Sequence, residues 1–154
     1  MNLKTTLTVS ATLFLVALDA MLPAAQFQYA KYLTIADIEQ VTKLKGVQQV
    51  PQSADADGDL NFARQDGKLI LSATFLPSSA YAGAKSSKEG FKSTIQGVGQ
   101  EAFVGPVSGP PLYILVFRKG AFAVILNTEL EGTTRPRLTI EQLTAIAKIV
   151  ASRM

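Results

Sequence analysis

The sharpest chemical pattern in the sequence is a set of aspartates with the spacing of a calcium-binding loop. Asp55, Asp57 and Asp59 alternate with small residues. Asp66 stands at the twelfth position counted from the first of them, where such loops carry a bidentate acid. Leu60, however, takes the place of the glycine at the sharp turn, and Asp66 is followed by glycine, a pair typical of hairpin turns. We therefore expect turn-forming aspartates here, with a calcium site as the alternative.

Seven cationic side chains are the candidate ligand-binding residues of the chain. Helical spacing places three lysines on one side of the stretch that follows residue 80, two cations lie at a hairpin tip, and two arginines flank a proline. Such a group predicts an anion-binding patch for lipid head groups or glycans, with a solvated surface as the alternative. The residues are Lys85, Lys88, Lys92, Arg118, Lys119, Arg135 and Arg137. A net charge of +3 and few neighbouring aromatic residues argue against nucleic acid as the partner.

The composition excludes several kinds of catalytic site and predicts no cofactor. The chain contains no cysteine and no histidine, so it cannot build a disulfide, a Cys/His zinc site, a Ser-His-Asp triad or a histidine-ligated haem. A carboxylate pair remains possible, from Glu101, Glu129, Glu131 and Glu141. Nothing in the sequence places two of them together. We therefore expect no enzymatic activity, with a carboxylate-dependent hydrolase as the alternative.

The start of the chain has the order of parts of a secretory signal peptide. A basic beginning that includes Lys4 precedes an apolar run over residues 7–18, and a helix breaker and small residues follow. The run is shorter than the roughly 20 residues that span a bilayer, and Asp19 interrupts it. We therefore predict a signal helix over residues 1–25, followed by one domain over residues 26–154.

The processed domain is expected outside the cytoplasm, either periplasmic or secreted, after cleavage near Ala25. The lack of cysteine suits an oxidising compartment, because no thiol can be misoxidised there. The alternative is an uncleaved segment over residues 7–22 that anchors the domain at a membrane. We expect a non-catalytic binding or interaction domain, and its partner is either an envelope protein or a small ligand.

Apolar periodicity and turn residues divide the domain into elements. Capping signatures at Thr34 and Thr139 begin two helices, and Gly46 is expected to end the first of them. Alternating apolar residues and turn dipeptides predict the rest. These are extended segments over 47–50, 59–64, 68–76, 102–104, 112–117 and 121–126, a weaker helix over 80–85, and a loop over 127–137.

This order of elements predicts an α+β fold, in which an antiparallel sheet of four to six strands carries helices on one face. Segment 112–117 is the most apolar of the domain and is expected to be a strand buried on both faces. Its hairpin with segment 121–126 would accept a partner strand if it lay at the edge of the sheet. If the hairpin is central, a cavity or the basic surface is the better candidate.

Several large apolar residues allow two interpretations. They could line a pocket between the sheet and the helices for a lipid-like or anionic small ligand. Their alternation along strands is explained more simply by the hydrophobic core. The residues are Leu69, Leu71, Phe75, Tyr113, Phe117 and Phe122.

The glycines in Gly97-Val-Gly99 have the letters of a relaxed dinucleotide fingerprint. That fingerprint needs a strand before it and a helix after it, and the flanking residues predict neither. We interpret the two glycines as positions of positive φ at the start of a strand.

Three segments of the domain resemble small exported bacterial proteins of unassigned function. The segments are Gly58-Asp-Leu-Asn-Phe62 before Gly67-Lys-Leu-Ile-Leu71, Gly97-Val-Gly-Gln-Glu-Ala-Phe103, and Phe117-Arg-Lys-Gly120. The similarity spans residues 35–154 and consists of turns and strands. It implies an envelope or secreted location and an α+β sheet, and it supplies no active-site residues.

Processing of the N-terminus can be tested directly by mass. If the signal interpretation is right, the intact mass of the protein purified from its own envelope corresponds to a chain that has lost its first 20 to 25 residues, as is usual for a signal of about this length. A full-length mass in the membrane fraction would instead support the anchor.

Overall fold

The structure is a computed structural model that describes residues 29–51, 59–86, 93–106, 113–131 and 135–154. The predicted signal helix over residues 1–25, with its cleavage position near Ala25, lies outside the described residues. Among the helices of the described residues, none has the length and apolar character needed to cross a membrane.

Three helices and nine strands are formed within the described ranges. The helices are α1 (Ile35–Thr42), α2 (Ala80–Ser86) and α3 (Ile140–Arg153). The strands are β1 (Gln48–Val50), β2 (Leu60–Ala63), β3 (Leu69–Pro77), β4 (Ser93–Thr94), β5 (Glu101–Pro106), β6 (Tyr113–Lys119), β7 (Phe122–Thr128), β8 (Leu130–Glu131) and β9 (Arg135–Pro136).

Seven of these strands form one antiparallel sheet in the order β1-β2-β3-β7-β6-β5-β4, which confirms the predicted α+β class. The long strands β3 and β7 pair at its centre and join two meanders. The sheet has more strands than the four to six predicted. One strand that the sequence did not indicate is β4, where Ser93 and Thr94 are exposed and lack any apolar alternation. Pairing with β5 alone makes it a strand.

The first face of the sheet packs against α1 and α3. Side chains of alternate residues along the central strands point to these helices, and all of them are fully buried. They are Leu71, Ala73, Leu115, Phe117, Val124 and Leu126. The helices contribute a matching stripe of fully buried residues, Ile38, Leu143, Ile146, Ala147 and Val150. The first face is therefore the main core of the domain, as the alternation predicted.

The second face of the sheet carries the short helix α2, so the prediction that all helices lie on one face is wrong. Tyr81 of α2 packs with Phe103, Val116 and Ala123, which alternate with first-face residues along β5, β6 and β7. Amphipathic spacing states which side of a helix is apolar, but it does not state which face of the sheet that side covers. The face is decided by the path of the chain after β3.

Local capping begins the two long helices where the sequence predicted. The Thr34 side chain accepts a hydrogen bond from the Asp37 backbone N–H, and the Thr34 backbone N–H donates to the Asp37 carboxylate. Thr139 and Gln142 make the same reciprocal pair at α3. Helix α1 ends at Thr42 rather than at Gly46, because the next residue, Lys43, already adopts a left-handed conformation with φ of 61°.

An ion pair joins the first turn of α1 to the end of α3. Arg153 donates from Nη1 and Nη2 to the two carboxylate oxygens of Asp37, at 2.5 and 2.7 Å. Asp37 is only 6% exposed. Burial acts to raise its pKa, but the hydrogen bonds from Arg153 and Thr34 outweigh burial and lower the pKa of Asp37 to about 2. The bidentate geometry fixes both the distance and the orientation of the two helices.

Aromatic rings fasten the beginning of the described chain to the same end of the first face. The ring of Tyr29 stacks on Phe75 with a centroid separation of 4.4 Å and meets Phe122 edge-on at 6.2 Å. Tyr32 contacts the same two rings. The chain is therefore held in place from Tyr29 onwards.

Gly99 lets the chain enter β5 at very close range to β6. It has φ of +57°, as the sequence predicted for this glycine. The next residue, Gln100, donates its backbone N–H to the carbonyl oxygen of Arg118 at 2.8 Å. A side chain at position 99 would lie against that carbonyl, so glycine is required for two reasons.

The hairpin of β6 and β7 lies in the interior of the sheet, with β5 and β3 as its outer neighbours. Leu115, Val116 and Phe117 are buried and alternate between the two faces, which confirms the predicted burial of both faces for this part of segment 112–117. Ile114 is partly buried, and Leu112 lies outside the described residues. Each of the two strands is hydrogen-bonded to a neighbouring strand on both sides, so the hairpin cannot accept a partner strand.

Replacing Gly99 by alanine should destabilise the fold more than replacing Gly120. Both glycines have φ of +57°, so both variants carry the same left-handed penalty of about 1–2 kcal/mol. A Cβ at Gly99 would lie 2.5 Å from the backbone oxygen of Arg118, whereas at Gly120 it would meet nothing within 4 Å. We expect Gly99→Ala to lower the free energy of unfolding by about 2 kcal/mol more than Gly120→Ala in urea denaturation. Equal losses would contradict the close approach.

The Asp37–Arg153 pair should make stability depend on pH in the acid range. The pKa of Asp37 falls from 3.8 to about 2 on folding, so its contribution is present above pH 4 and is lost as pH falls towards 2. We expect Asp37→Asn to lower the free energy of unfolding at pH 7 by about 2 kcal/mol, and this difference from the wild type to shrink towards zero near pH 2.

Asp66→Asn is the matched control for that variant. Asp66 lies in the hairpin turn between β2 and β3, where its paired side chain is 40% exposed. We expect no measurable change at pH 7. A pH-independent loss in Asp37→Asn would show that the capping hydrogen bonds, rather than the ion pair, carry the effect.

Candidate functional site

Two of the predicted cationic residues meet on the second face of the sheet. Lys85 in the last turn of α2 donates to Glu101 in β5 at 2.7 Å. Arg118 in β6 is the cross-strand partner of Glu101, and its Nη2 lies 3.8 Å from the same carboxylate. Two cations thus share one carboxylate, which leaves the group with a net positive charge. We call Lys85, Glu101 and Arg118 the charged cluster.

The charged cluster lies over a buried aromatic pair. The guanidinium carbon of Arg118 lies 5.8 Å from the ring centroid of Tyr81, and that ring contacts Phe103 at 5.4 Å. Burial, together with the nearby charge of Glu101, raises the pKa of Tyr81 to about 12. The hydrogen bond from Lys85 lowers the pKa of Glu101, so this carboxylate is ionised at neutral pH. The aromatic base holds the guanidinium against the sheet, and its Nε is buried with no hydrogen-bond partner.

Beside the cluster, the second face combines half-buried aliphatic side chains with polar ones. Ile114, Ile125 and Leu76 pack at the margin of the Tyr81 group and are only partly covered. The corresponding positions on the first face are fully buried. Ser72 and Asn127 continue this face along β3 and β7, and each has a buried oxygen without a hydrogen-bond partner. The second face therefore carries partly buried aliphatic side chains and buried oxygens that make no hydrogen bond to the described residues, whereas the corresponding aliphatic side chains of the first face are fully buried.

The remaining predicted cations do not join the charged cluster. Lys119 follows Arg118 but points to the first face, where its Nζ donates to the carbonyl oxygen of Ala151 near the end of α3. Arg135 lies in β9, and Arg137 lies beyond the opposite end of β7, where its backbone N–H donates to the carbonyl oxygen of Glu129. Lys88 and Lys92 lie outside the described residues.

Two of the aspartates with calcium-loop spacing have structural partners. Asp59 accepts a hydrogen bond from the backbone N–H of Phe75 at 2.7 Å. Asp66, in the turn at the other end of β2, accepts one from the backbone N–H of Lys68. The extended strand β2 separates them. Asp55 and Asp57 lie outside the described residues, and the described part of the chain contains no group of three or more acidic side chains arranged to hold a metal ion.

An open groove of about 440 Å³ lies between the end of α1 and the turn that joins β2 to β3. It is lined by Leu44, Lys45, Arg64, Gln65 and Asp66. Its main ion pair, between Arg64 and Asp66, is solvent-exposed at 3.7 Å. Solvent-exposed ion pairs contribute little free energy, and none of the lining residues has a buried polar atom without a hydrogen-bond partner. The groove is thus a weaker candidate than the second face.

The glutamates considered for acid–base chemistry lie on separate elements. Glu101 begins β5, Glu129 follows β7, Glu131 lies in β8 and Glu141 lies in the first turn of α3. The pKa of Glu101 is lowered by Lys85, and hydrogen bonds at the start of α3 lower the pKa of Glu141. A general acid in a hydrolase needs the opposite shift.

Ser72 and Asn127 are the site residues that the sequence did not indicate. Both occupy polar positions in otherwise apolar strands, a pattern that ordinarily marks the solvent side of a half-exposed sheet. Ser72 is nevertheless 2% exposed. The only sequence signal is that Ser72 and Asn127 interrupt two strands that pair with each other, and this pairing is not known before the topology.

Comparison of the chain with protein-family models, with curated proteins and with solved structures finds no match. The function is therefore argued from the residues of this chain alone.

Proposed function

We propose that this chain is an exported, non-catalytic interaction domain that binds an acidic segment of an envelope protein through the second face of its sheet. The observation that carries the proposal is the contrast between the two faces. The first face is fully buried under α1 and α3, whereas the second combines partly covered aliphatic side chains with a charged cluster and with polar atoms that lack partners. Surfaces of this composition are typical of binding sites.

The chemistry of the partner follows from the charged cluster. Lys85 and Arg118 share one carboxylate, that of Glu101, so the three side chains of the cluster together carry one positive charge. A carboxylate of the partner would complete the pairing of Arg118, whose planar guanidinium suits bidentate recognition. The partly buried Ile114 and Ile125 would cover apolar side chains of the same segment.

The shape of the surface favours a protein partner over an enclosed small ligand. Phe117 and Leu71, which were candidate pocket residues, are 0% exposed and belong to the core between sheet and helices. Phe75 is also part of this core. A sheet face that is partly covered by one short helix matches an extended or helical segment better than it matches an enclosed molecule.

Charge reversal on the second face tests the proposal. Lys85→Glu should weaken capture of the partner at least about tenfold, because the new carboxylate would face both Glu101 and an acidic partner. The measurement is the fraction of the chain crosslinked to a second protein in its own envelope compartment, quantified by intact mass. Capture by the wild type should also decline as salt is raised.

Lys45→Glu, an exposed lysine in the groove near α1, is the matched control and should leave capture unchanged. Thermal unfolding of both variants confirms that each is folded. If Lys45→Glu weakens capture and Lys85→Glu does not, the groove is the binding site and the proposal is wrong. A bound mass of a few hundred daltons, lost on denaturation, would instead favour a small-ligand carrier.

A further inference from the structure

Two polar side chains face each other across the central strand pair. Ser72 in β3 is 2% exposed, and Asn127 is its direct cross-strand partner in β7. The Oγ atom of Ser72 and the Oδ1 atom of Asn127 are both buried, and neither has a hydrogen-bond partner among the described residues. Directly opposite residues of an antiparallel pair have Cβ atoms about 4.5–5.5 Å apart, so both oxygens lie in one small region.

This pair lies on the second face, next to the partly buried side chains of Ile114 and Ile125. Asn127 pairs with Ile114 in β6, and Ile125 lies one row further along the same face. A buried hydroxyl or amide oxygen that makes no hydrogen bond destabilises a fold, and such atoms are rare in proteins. Two of them side by side therefore point to a third group that both can bind.

We propose that Ser72 and Asn127 form a binding site for one neutral hydrogen-bond donor, either a water molecule or a hydroxyl group of the bound partner. The amide oxygen of Asn127 only accepts hydrogen bonds, whereas the hydroxyl of Ser72 both donates and accepts. One bridging hydroxyl that donates to Asn127 and accepts from Ser72 satisfies both side chains. The partner source of this hydroxyl rests on the proposed function, and the water source does not.

A double-mutant cycle tests the site. The variants are Ser72→Ala, Asn127→Ala and the double variant, and the measurement is the folding equilibrium constant from denaturant titration. The protein is measured twice, once as purified from its envelope with any partner retained and once after complete unfolding and refolding in clean buffer. A bridging donor predicts that each single change lowers the constant about fivefold and that the double change lowers it little further.

Ser72→Ala combined with Thr144→Ala is the control pair. Thr144 lies in α3 and donates to the carbonyl oxygen of Ile140, so it shares no partner with Ser72. The effects of these two changes should simply add.

Each outcome of the cycle decides the proposal. Coupling in both preparations supports a bound water, and coupling only in the envelope preparation supports a partner hydroxyl. If the cycle is additive in both preparations, the two oxygens have no common ligand and the proposal is overturned. Coupling that disappears in EDTA would also overturn it, because a metal cation would then be the bound group. Coupling in refolded protein stands even if Lys85→Glu leaves capture unchanged, so the two failures are distinguishable.

Discussion

The ion pair between Asp37 and Arg153 connects the first and last helices of the domain, and the first face depends on it. The carboxylate of Asp37 accepts hydrogen bonds from two sources: the backbone N–H of Thr34, which completes the cap of α1, and the guanidinium of Arg153 at the end of α3. A carboxylate that is almost fully buried would be strongly unfavourable without these partners. The aromatic contacts of Tyr29 and Tyr32 lie at the same end, so the first described segment and the end of α3 meet within one small region.

With both long helices fixed on one side, the alternation of the strands divides the sheet into two unlike faces. Along β7, Val124 and Leu126 enter the main core, while Ile125 and Asn127 point to the other side. The main core is apolar and closely filled, which accounts for stability. Among the described residues, the seven of α2 are the only helical cover of the second face, and polar groups lie there beside aliphatic ones. The proposed binding surface is on this side, because the central residues of the first face are buried under α1 and α3.

Several carboxyl groups of the described residues are held in the ionised form by their neighbours. The resolved pKa shifts of its described carboxyl groups, at Asp37, Asp66, Glu101 and Glu141, are all downward. Carboxylates of this kind act as permanent charges and hydrogen-bond acceptors. The charged cluster uses one of them, Glu101, to hold two cations in place on the sheet, which is a way to present positive charge without a deep pocket.

Local features of this protein follow from its amino-acid pattern: the capping boxes at Thr34 and Thr139, the α+β class and the strand alternation that builds the main core. These depend on residues within a few positions of each other. The pairing of distant strands, in contrast, makes β6 and β7 interior, places α2 on the second face, and brings Lys85 but not Lys119 to the charged cluster. It also brought Ser72 opposite Asn127. Each of these depends on which strands pair and on the parity of the register, because a shift of one residue moves a side chain to the other face.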